Sequence, residues 1–500
     1  MLTRFLLLSI VLLLEPDAIR AGELLGRPTD TSITVSVMAE RELEVFFEYG
    51  VAPGRYSGRT AAARVAAGAP IQVLIDGLKP DTTYSYCMRF RTPGAVQFAA
   101  GEEHRFHTQR PPGATFTFAV QADPHLDDGS APEVYKRSLH HALASSPDFL
   151  IDLGDTFMSD KLESQTWDEV VRRHLLARSY YELVGPSLPL FLVLGNHEGE
   201  TARRLDGTAE NLAILATKAR KQYYPNPEPN RFYSGSAKAE PFVGLRQNYY
   251  AWTWGAALFV VLDPHWHTTA RPGQGGDNWN WTLGREQYDW LRRSLEGSRA
   301  KFKFVFAHNL VGGLNLDGRA RGGIEGAPYF EWGGHNQDST WGFSEKRPGW
   351  EMPIHHLLVK HNVTAFFHGH DHLYAKQDLD GIVYQEVPQP SHGRPRNPFG
   401  QYAYTHGDIL PGSGYTRIQV SPGGVKAEFI RTDEGAAVVA HSYSIAPRVK
   451  NASESPASVL GSKVAPAPAD DQPARPGRGA KKGGGRTLGE QPPPAGRDKP

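Results

Sequence analysis

Asp, Asn and His recur in this chain at the ends of short apolar strands. Together these residue types form the donor set of a metal-dependent hydrolase. The runs read TFTFAVQA then Asp123-Pro124-His125, FLIDL then Gly154-Asp155, LFLVL then Gly195-Asn196-His197-Glu198, FKFVFA then His308, and TAFF then His368-Gly369-His370-Asp371-His372. Open α/β sheets gather their sites at the C-terminal ends of the strands. One sheet edge is therefore expected to bring together Asp123, His125, Asp155, Asn196, His308, His370 and His372. That set exceeds a single tetrahedral site and suits two adjacent cations sharing a ligand. Asp155 is the expected bridge, because a carboxylate can span two ions about 4 Å apart. Two dications against two carboxylates leave the site positive, which favours a phosphate and the charge on its transferring group. Water held by such a pair loses its proton near pH 7, at a pKa of about 7.

The elements that must position these residues are read from periodicity. From about 114 to 446 strands alternate with helical stretches at Val134 to Ala144, Thr166 to Val184, Arg285 to Leu295 and Met352 to His361. Gln222 to Tyr250 and Gly312 to Trp350 are rich in Gly, Pro, Asn, Tyr and Trp and read as long loops, which in a compact domain are often functional. Runs near Ile382 to Val387, Tyr415 to Val420 and Val425 to Ile430 are expected to complete a second sheet. Residues 24–110 read as all-β, with alternating runs at Ser32 to Val37, Leu43 to Tyr49, Ile71 to Ile75 and Thr83 to Phe90. Leu78-Lys79-Pro80-Asp81-Thr82-Thr83-Tyr84 resembles the tyrosine corner of fibronectin type III domains, which implies that the Tyr84 hydroxyl returns to nearby backbone. Arg110 to Gly113 reads as a linker.

Composition sets limits on partners and compartment. Lys plus Arg equals Asp plus Glu, 54 each, so no whole-chain field recruits nucleic acid or an anionic membrane. The single cysteine, Cys87, excludes an intrachain disulfide and a cysteine zinc site. It lies in an alternating strand and is expected to be an apolar filler. Arg4 precedes an apolar run from Phe5 to Leu14, which fits the core of a secretory signal and is short for a membrane span. Residues 1–21 are read as that signal, cut after Ala21, although Ile19 is larger than the position favours; an uncleaved anchor is the other reading. Export to a periplasm or secretion follows. Residues 447–500 are Pro-, Ala-, Gly-, Lys- and Arg-rich, and are expected to be a disordered tail. Asn280, Asn362 and Asn451 begin matches to the glycosylation acceptor pattern.

The order Asp-x-His, Gly-Asp, Gly-Asn-His-Glu, His, Gly-His-x-His resembles the calcineurin-like metallophosphoesterase superfamily. The β-rich region ahead of it is similar to the layout of purple acid phosphatases. The resemblance implies a fibronectin III-like all-β sandwich at 24–110, then an α/β domain at 114–446 built as a four-layer αββα sandwich. It implies that Asp123, His125 and His372 hold a first metal, that Asn196, His308 and His370 hold a second, and that Asp155 bridges. His197 would contact the scissile phosphate or protonate the leaving group. Purple acid phosphatases differ in resembling Asp-x-Gly at the first block and in having Tyr three residues after the bridging Asp. Here those places hold His125 and Met158. A colourless protein with Zn, Mn or Fe, divalent or trivalent, is expected.

Other residues are weighed against this set. His368 and Glu198 are expected to orient neighbours, and His265 and His267 to be packed or exposed imidazoles. Asp127 and Asp128 are expected to be loop charges. Arg319, Arg321, Glu331, Trp332 and His335 lie in the loop after His308, where Arg321 would clamp a phosphate oxygen and Trp332 would stack on an aromatic leaving group. The expected activity is phosphomonoester hydrolysis, with the metal-bridging hydroxide as nucleophile. A phosphodiesterase or nucleotide hydrolase with the same centre is the alternative. An inert secreted binding protein is the reading from another class.

Overall fold

The five ligand-bearing strands do not share one sheet. Phe116–Gln121, Leu150–Asp152 and Leu190–Leu192 are parallel neighbours in a nine-stranded mixed sheet. Phe302–Phe306 and Ala365–His368 are parallel neighbours in a second sheet of eight strands. The single-edge expectation is corrected accordingly. The later runs divide too: Ile382–Glu386 joins the eight-stranded sheet, while Gly414–Ser421 and Gly424–Arg431 join the nine-stranded one. Strands buried on both faces read as unbroken apolar runs, and such runs carry no signal of which sheet they enter.

The computed structural model describes residues 22–269, 277–315, 319–392 and 398–448. Its two large sheets face one another across a shared core that includes Phe118, Phe149, Phe259, Phe304 and Phe367. Phe118 packs edge-on to Phe259 at 5.1 Å, and Phe306 stacks on Phe367 at 5.1 Å. Facing sheets bring the ends of their strands to a common rim, so donors from both sheets can still converge. Helices cover the outer faces. Pro132–Ala144, Trp167–Tyr181 and Leu212–Tyr223 pack on the nine-stranded sheet through Leu139, Val170 and Leu215. Arg285–Gly297 and Ile354–Lys360 pack on the other through Leu291 and Leu357. Local chemistry sets the starts. Thr166 caps its helix by accepting the Glu169 N–H, and Asn211 caps the next by accepting the Ile214 N–H. The Leu212–Tyr223 helix was not anticipated. It is buried on most sides, so it lacks the polar stripe that marks a surface helix.

The N-terminal β-rich region has two layers. Gly22–Gly26, Ile33–Met38 and Ile71–Ile75 form one, and a five-stranded sheet containing Leu43–Gly50, Thr83–Arg91 and Ala99–His107 forms the other. Val35, Val45, Phe47, Tyr86 and Phe106 fill the space between. The Tyr84 hydroxyl accepts the Lys79 N–H at 2.9 Å. The first layer is also the end of the nine-stranded sheet, because Gly26 pairs in parallel with Leu190. Buried Arg178 adds a second tie, donating from one helix to Ser36 and to the carbonyls of Ser36, Gly22 and Tyr223. Cys87 is buried in this region. The proposed signal at 1–21, the Asn451 acceptor and the tail beyond Arg448 lie outside the described residues. Among the described residues no helix is long and apolar enough to cross a membrane.

Candidate metal centre

The backbone at the strand ends is bent sharply to turn donors inward. Asp123, His125, Asp155, His370 and His372 all have positive φ, between 46° and 78°. Non-glycine residues rarely adopt this conformation, which costs about 1–3 kcal/mol each and tends to persist at functional sites. Two glycines make room for the turns. A Cβ on Gly195 would lie 2.3 Å from Asp155 Oδ1, and one on Gly369 would lie 2.5 Å from Asp123 Oδ2. Gly195 and Gly369 are therefore set by the close approach of a carboxylate from another strand, and Gly154 by its positive φ and the nearby backbone of Gly195.

Six of the expected donors fall into two groups, Asp123 with His125 and His372, and Asp155 with His308 and His370. Within each group the donor atoms lie within 4.8 Å of one another. In the first, Asp123 Oδ1 is 3.3 Å from His372 Nε2 and 3.7 Å from His125 Nε2. In the second, Asp155 Oδ2 is 3.0 Å from His308 Nε2, and His308 Nε2 is 3.2 Å from His370 Nδ1. Asp155 Oδ2 also lies 3.7 Å from His125 Nε2, so it stands between the groups. His372 is the solvent-facing member, and the others are buried.

Whether cations fit this site is answered by its lone pairs. Asp123 Oδ1, His125 Nε2, Asn196 Oδ1 and His370 Nε2 are buried without hydrogen-bond partners. Buried polar atoms are nearly always satisfied, and leaving one unpaired costs about 1–3 kcal/mol. Such atoms from three separate segments, beside a central carboxylate, have the chemistry of a divalent or trivalent transition-metal pair. The remaining lone pairs are already used to aim the donors. Asp123 Oδ2 accepts the His370 N–H, and Asp155 Oδ1 accepts the His197 N–H, each at 2.8 Å. His308 Nδ1–H donates to the Leu153 carbonyl at 3.0 Å, which leaves Nε2 as the ligating atom.

Electrostatics tie the groups together. Burial opposes charge on His308, but Asp155 and Asp123 hold its pKa up at about 10. Burial likewise opposes charge on His125, and the same two carboxylates raise it to about 9. Burial resists ionisation of Asp123 and Asp155, yet surrounding imidazoles, His308 among them, lower both. The carboxylates are thus poised to be anionic and to accept positive charge. Glu198 accepts the N–H groups of Asp155, Thr156 and Gly195, bracing the bridging turn. Burial, then the Asp155 charge, pushes Glu198 up to about 8.

The other residues singled out in the sequence make contacts of their own. His197 lies 3.9 Å from Asp155 Oδ2 through Nε2, while its Nδ1 meets Asp160 Oδ1 at 2.7 Å. His368 is buried and its Nδ1 meets Glu386 Oε2 at 2.6 Å. His265 is buried with its ring 6.0 Å from that of His308, and burial holds it neutral at a pKa of about 4. Asp127 accepts the Met158 N–H and pairs with Arg173, while Asp128 pairs with Lys161.

The loop after His308 corrects one expectation. Trp332 is wholly buried, 4.6 Å from the Phe366 ring, and its indole N–H donates to the Tyr384 hydroxyl. It packs the outer helical layer and cannot stack on a substrate. Glu331, equally buried, accepts the Leu283 N–H and pairs with Arg347. The loop bends into a hairpin, Leu314–Asn315 with Ala320–Arg321, and a short helix, Phe330–Gly333, which carries these side chains away from the donors. Arg321 does face the centre. Its guanidinium bonds the His370 carbonyl and Asp371 Oδ1, and stacks over the Tyr402 ring at 4.1 Å.

A polar cavity of about 350 Å³ opens over the donors, lined by His125, Asp155, His197, Arg321, His370 and His372. Lys161, Asp128, Gln389 and His392 also line it, and none of these was named as a site residue from the sequence. Asp160 was missed as well. Its only sequence signal is its place five residues after Asp155, while Gln389 and His392 sit in a Pro-rich run after a strand, with no ligand spacing at all. A larger cleft of about 1010 Å³ lies elsewhere, between Asn230–Gly235 and the end of the Arg285–Gly297 helix, and contains none of these donors.

The family model described as calcineurin-like phosphoesterase matches residues 116–374. No curated protein sequence matches the chain. Among solved structures, that of PhoD is similar at 17% identity and a TM-score of 0.62, over 87% of this chain and 93% of that one. The purple acid phosphatase PPD1 from yellow lupin (Lupinus luteus) seeds is similar at 16% identity and a TM-score of 0.57, over 86% of this chain and 75% of that one. At these identities the likeness is one of fold.

Proposed function

The chain belongs to the calcineurin-like phosphoesterase family, and on that basis we propose that it is an exported, two-metal phosphoesterase acting on phosphomonoesters. One observation carries the reading: the donor groups Asp123–His125–His372 and Asp155–His308–His370 adjoin, with Asp155 Oδ2 3.7 Å from His125 Nε2, and Asp123 Oδ1 and His125 Nε2 are buried without partners. Asp123, His125 and His372 would hold one Zn, Mn or Fe ion, Asn196, His308 and His370 the other, with Asp155 shared. Such ions supply Lewis-acid charge neutralisation and a water acidic enough to react near neutral pH.

The chain's own residues do the rest. His197 donates its Nδ1–H to Asp160, which leaves Nε2 to meet the ester over the donors. In its doubly protonated form His197 gives the Nε2 proton to the departing oxygen and is left as the neutral tautomer with Nδ1–H still on Asp160. Arg321, held by Asp371, offers positive charge to a phosphoryl oxygen at the cavity wall. Of the six grouped donors, His372 alone is exposed and the other five are buried. We assign 24–110 to a fibronectin III-like sandwich and 114–446 to the catalytic domain. The Tyr84–Lys79 bond supports the first assignment. Export rests on the Phe5 to Leu14 run. With Met158 in place of a tyrosine, the metal-loaded protein is expected to be colourless.

Asp-x-His at the first block favours a second reading, hydrolysis of phosphodiesters or nucleotides. Metal-loaded protein assayed on p-nitrophenyl phosphate and on bis-p-nitrophenyl phosphate decides between them. Higher kcat/KM on the monoester supports the proposal, and a preference for the diester reverses it.

A further inference from the structure

Arg321 reaches the wall of the donor cavity from its hairpin, with one terminal nitrogen bonded to the His370 carbonyl and to Asp371 Oδ1. Two acceptors on one nitrogen anchor that end of the guanidinium. They do not by themselves set the tilt of its plane. A distant segment contributes there: the Tyr402 ring lies against the guanidinium face, 4.1 Å from ring centre to the central carbon. The turn that carries the ring is bent. Tyr402 and Ala403 both have positive φ, 50° and 66°. Residues with side chains rarely adopt this conformation, and it clusters at functional sites. The turn is also tied down. The Gly400 N–H donates to the Tyr404 carbonyl at 2.8 Å, and the Tyr404 N–H donates to the Gln401 carbonyl at 3.0 Å. The Tyr404 side chain is buried, and its hydroxyl meets Glu386 Oε2 at 3.4 Å. The Tyr402 hydroxyl has no hydrogen-bond partner among the described residues. The ring, rather than the hydroxyl, is what this turn positions.

We propose that Tyr402 is a positioning residue for phosphate recognition: its ring holds the Arg321 guanidinium in the plane that meets a phosphoryl oxygen over the donors. The inference rests on the phosphate-facing role given above to Arg321, and it names the residue on which that role depends. A guanidinium binds phosphate through N–H groups that lie in its own plane, so the tilt of the plane decides what it can reach. Arg321 is 4% exposed, and a cation so far out of water is held by an aromatic face more strongly than an exposed one. Tyr402 lines the small cavity of about 70 Å³ beside the donors and is not among the walls of the large one. It therefore acts on a bound phosphate through Arg321. Plain packing is the alternative role, because the half-buried ring also rests on the cluster of Leu373, Ala375 and Tyr404. The two roles differ in one respect. Under the proposal, loss of the ring matters only when Arg321 is present.

The test is a double-variant cycle on the metal-loaded full chain. It reads KM for p-nitrophenyl phosphate and the inhibition constant of inorganic phosphate, with metal content measured on each preparation. Tyr402→Leu keeps apolar bulk against the cluster and removes the aromatic face. It is expected to raise both constants by about threefold to tenfold, the worth of a desolvated cation–ring contact, with metal content unchanged. Tyr402→Phe keeps the ring and should restore both constants to within about twofold of wild type. In an Arg321→Met background, Tyr402→Leu should change the inhibition constant by less than about twofold. An equal effect of Tyr402→Leu in both backgrounds assigns the ring to packing and overturns the proposal. A loss in Tyr402→Phe as large as that in Tyr402→Leu also overturns it. Weaker phosphate binding in Arg321→Met beside wild-type constants in Tyr402→Leu sinks this inference alone. Wild-type constants in Arg321→Met remove the phosphate-facing role of Arg321, and no hydrolysis by wild type removes the phosphomonoesterase reading; either result overturns this inference as well.

Discussion

Nδ1 of His197 lies 2.7 Å from Oδ1 of Asp160, and the other oxygen of that carboxylate is 3.8 Å from Arg203. A carboxylate can only accept, so Asp160 fixes the imidazole tautomer and its rotation together. Asp160→Asn should lower kcat by about tenfold to a hundredfold with metal content unchanged, and should shift the alkaline limb of the pH–rate profile. His197→Ala should lower kcat by about a hundredfold to ten-thousandfold. Steady-state kinetics alongside metal analysis checks both. Loss of metal in Asp160→Asn would mean that the residue supports the fold of the turn and has no part in aiming His197.

Trp332 should behave as a packing residue. It is fully enclosed and bonded to Tyr384. Trp332→Ala should cost about 3–5 kcal/mol of stability, the range for emptying a large aromatic site. KM for an aryl phosphate should be unchanged in the fraction that remains folded. Urea unfolding and kinetics on the same preparation separate the two effects. A raised KM at unchanged stability would restore the stacking role.

His174 predicts a pH dependence outside the metal centre. It is buried against Phe157, its ring nitrogens have no partners, and burial, then Arg220, lowers its pKa to about 3. The unfolded chain binds a proton at this site near pH 6.5 while the folded chain refuses it until near pH 3. Stability from this group is therefore present above pH 6.5 and falls away as pH drops from 6.5 toward 3. His174→Leu removes that loss. The stability gap between wild type and variant should move in favour of the variant by roughly 1–3 kcal/mol between pH 7.5 and pH 5. Urea midpoints at the two pH values measure it, and an equal gap at both would refute it.

The chemistry of the centre was legible because its donors are short-range features. Each of the Asp, Asn and His residues follows an apolar strand within a few positions, and their types alone suggest a cation pair. What joins them was not legible. Phe116–Gln121 and Phe302–Phe306 look alike as sequence yet enter different sheets, because a strand buried on both faces gives no hint of its neighbour. The continuation of the nine-stranded sheet into the β-rich region rests on one backbone pair, Gly26 with Leu190, and backbone pairing has no side-chain signature. Trp332 misled because a loop rich in Gly and Trp suggests a lid, whereas the local hairpin and short helix turn its ring into the core. Gln389 carried no signal at all. Its place on the cavity wall exists only once the chain is folded.

Metal content is the most direct measure of the central claim. The purified chain, stripped with a chelator and then reconstituted with Zn, Mn or Fe, is analysed by atomic emission beside Asp155→Asn. About two equivalents per chain are predicted for wild type, with at least one lost from the variant that weakens the shared carboxylate. No bound metal in reconstituted wild type, or two full equivalents retained in Asp155→Asn, would contradict it.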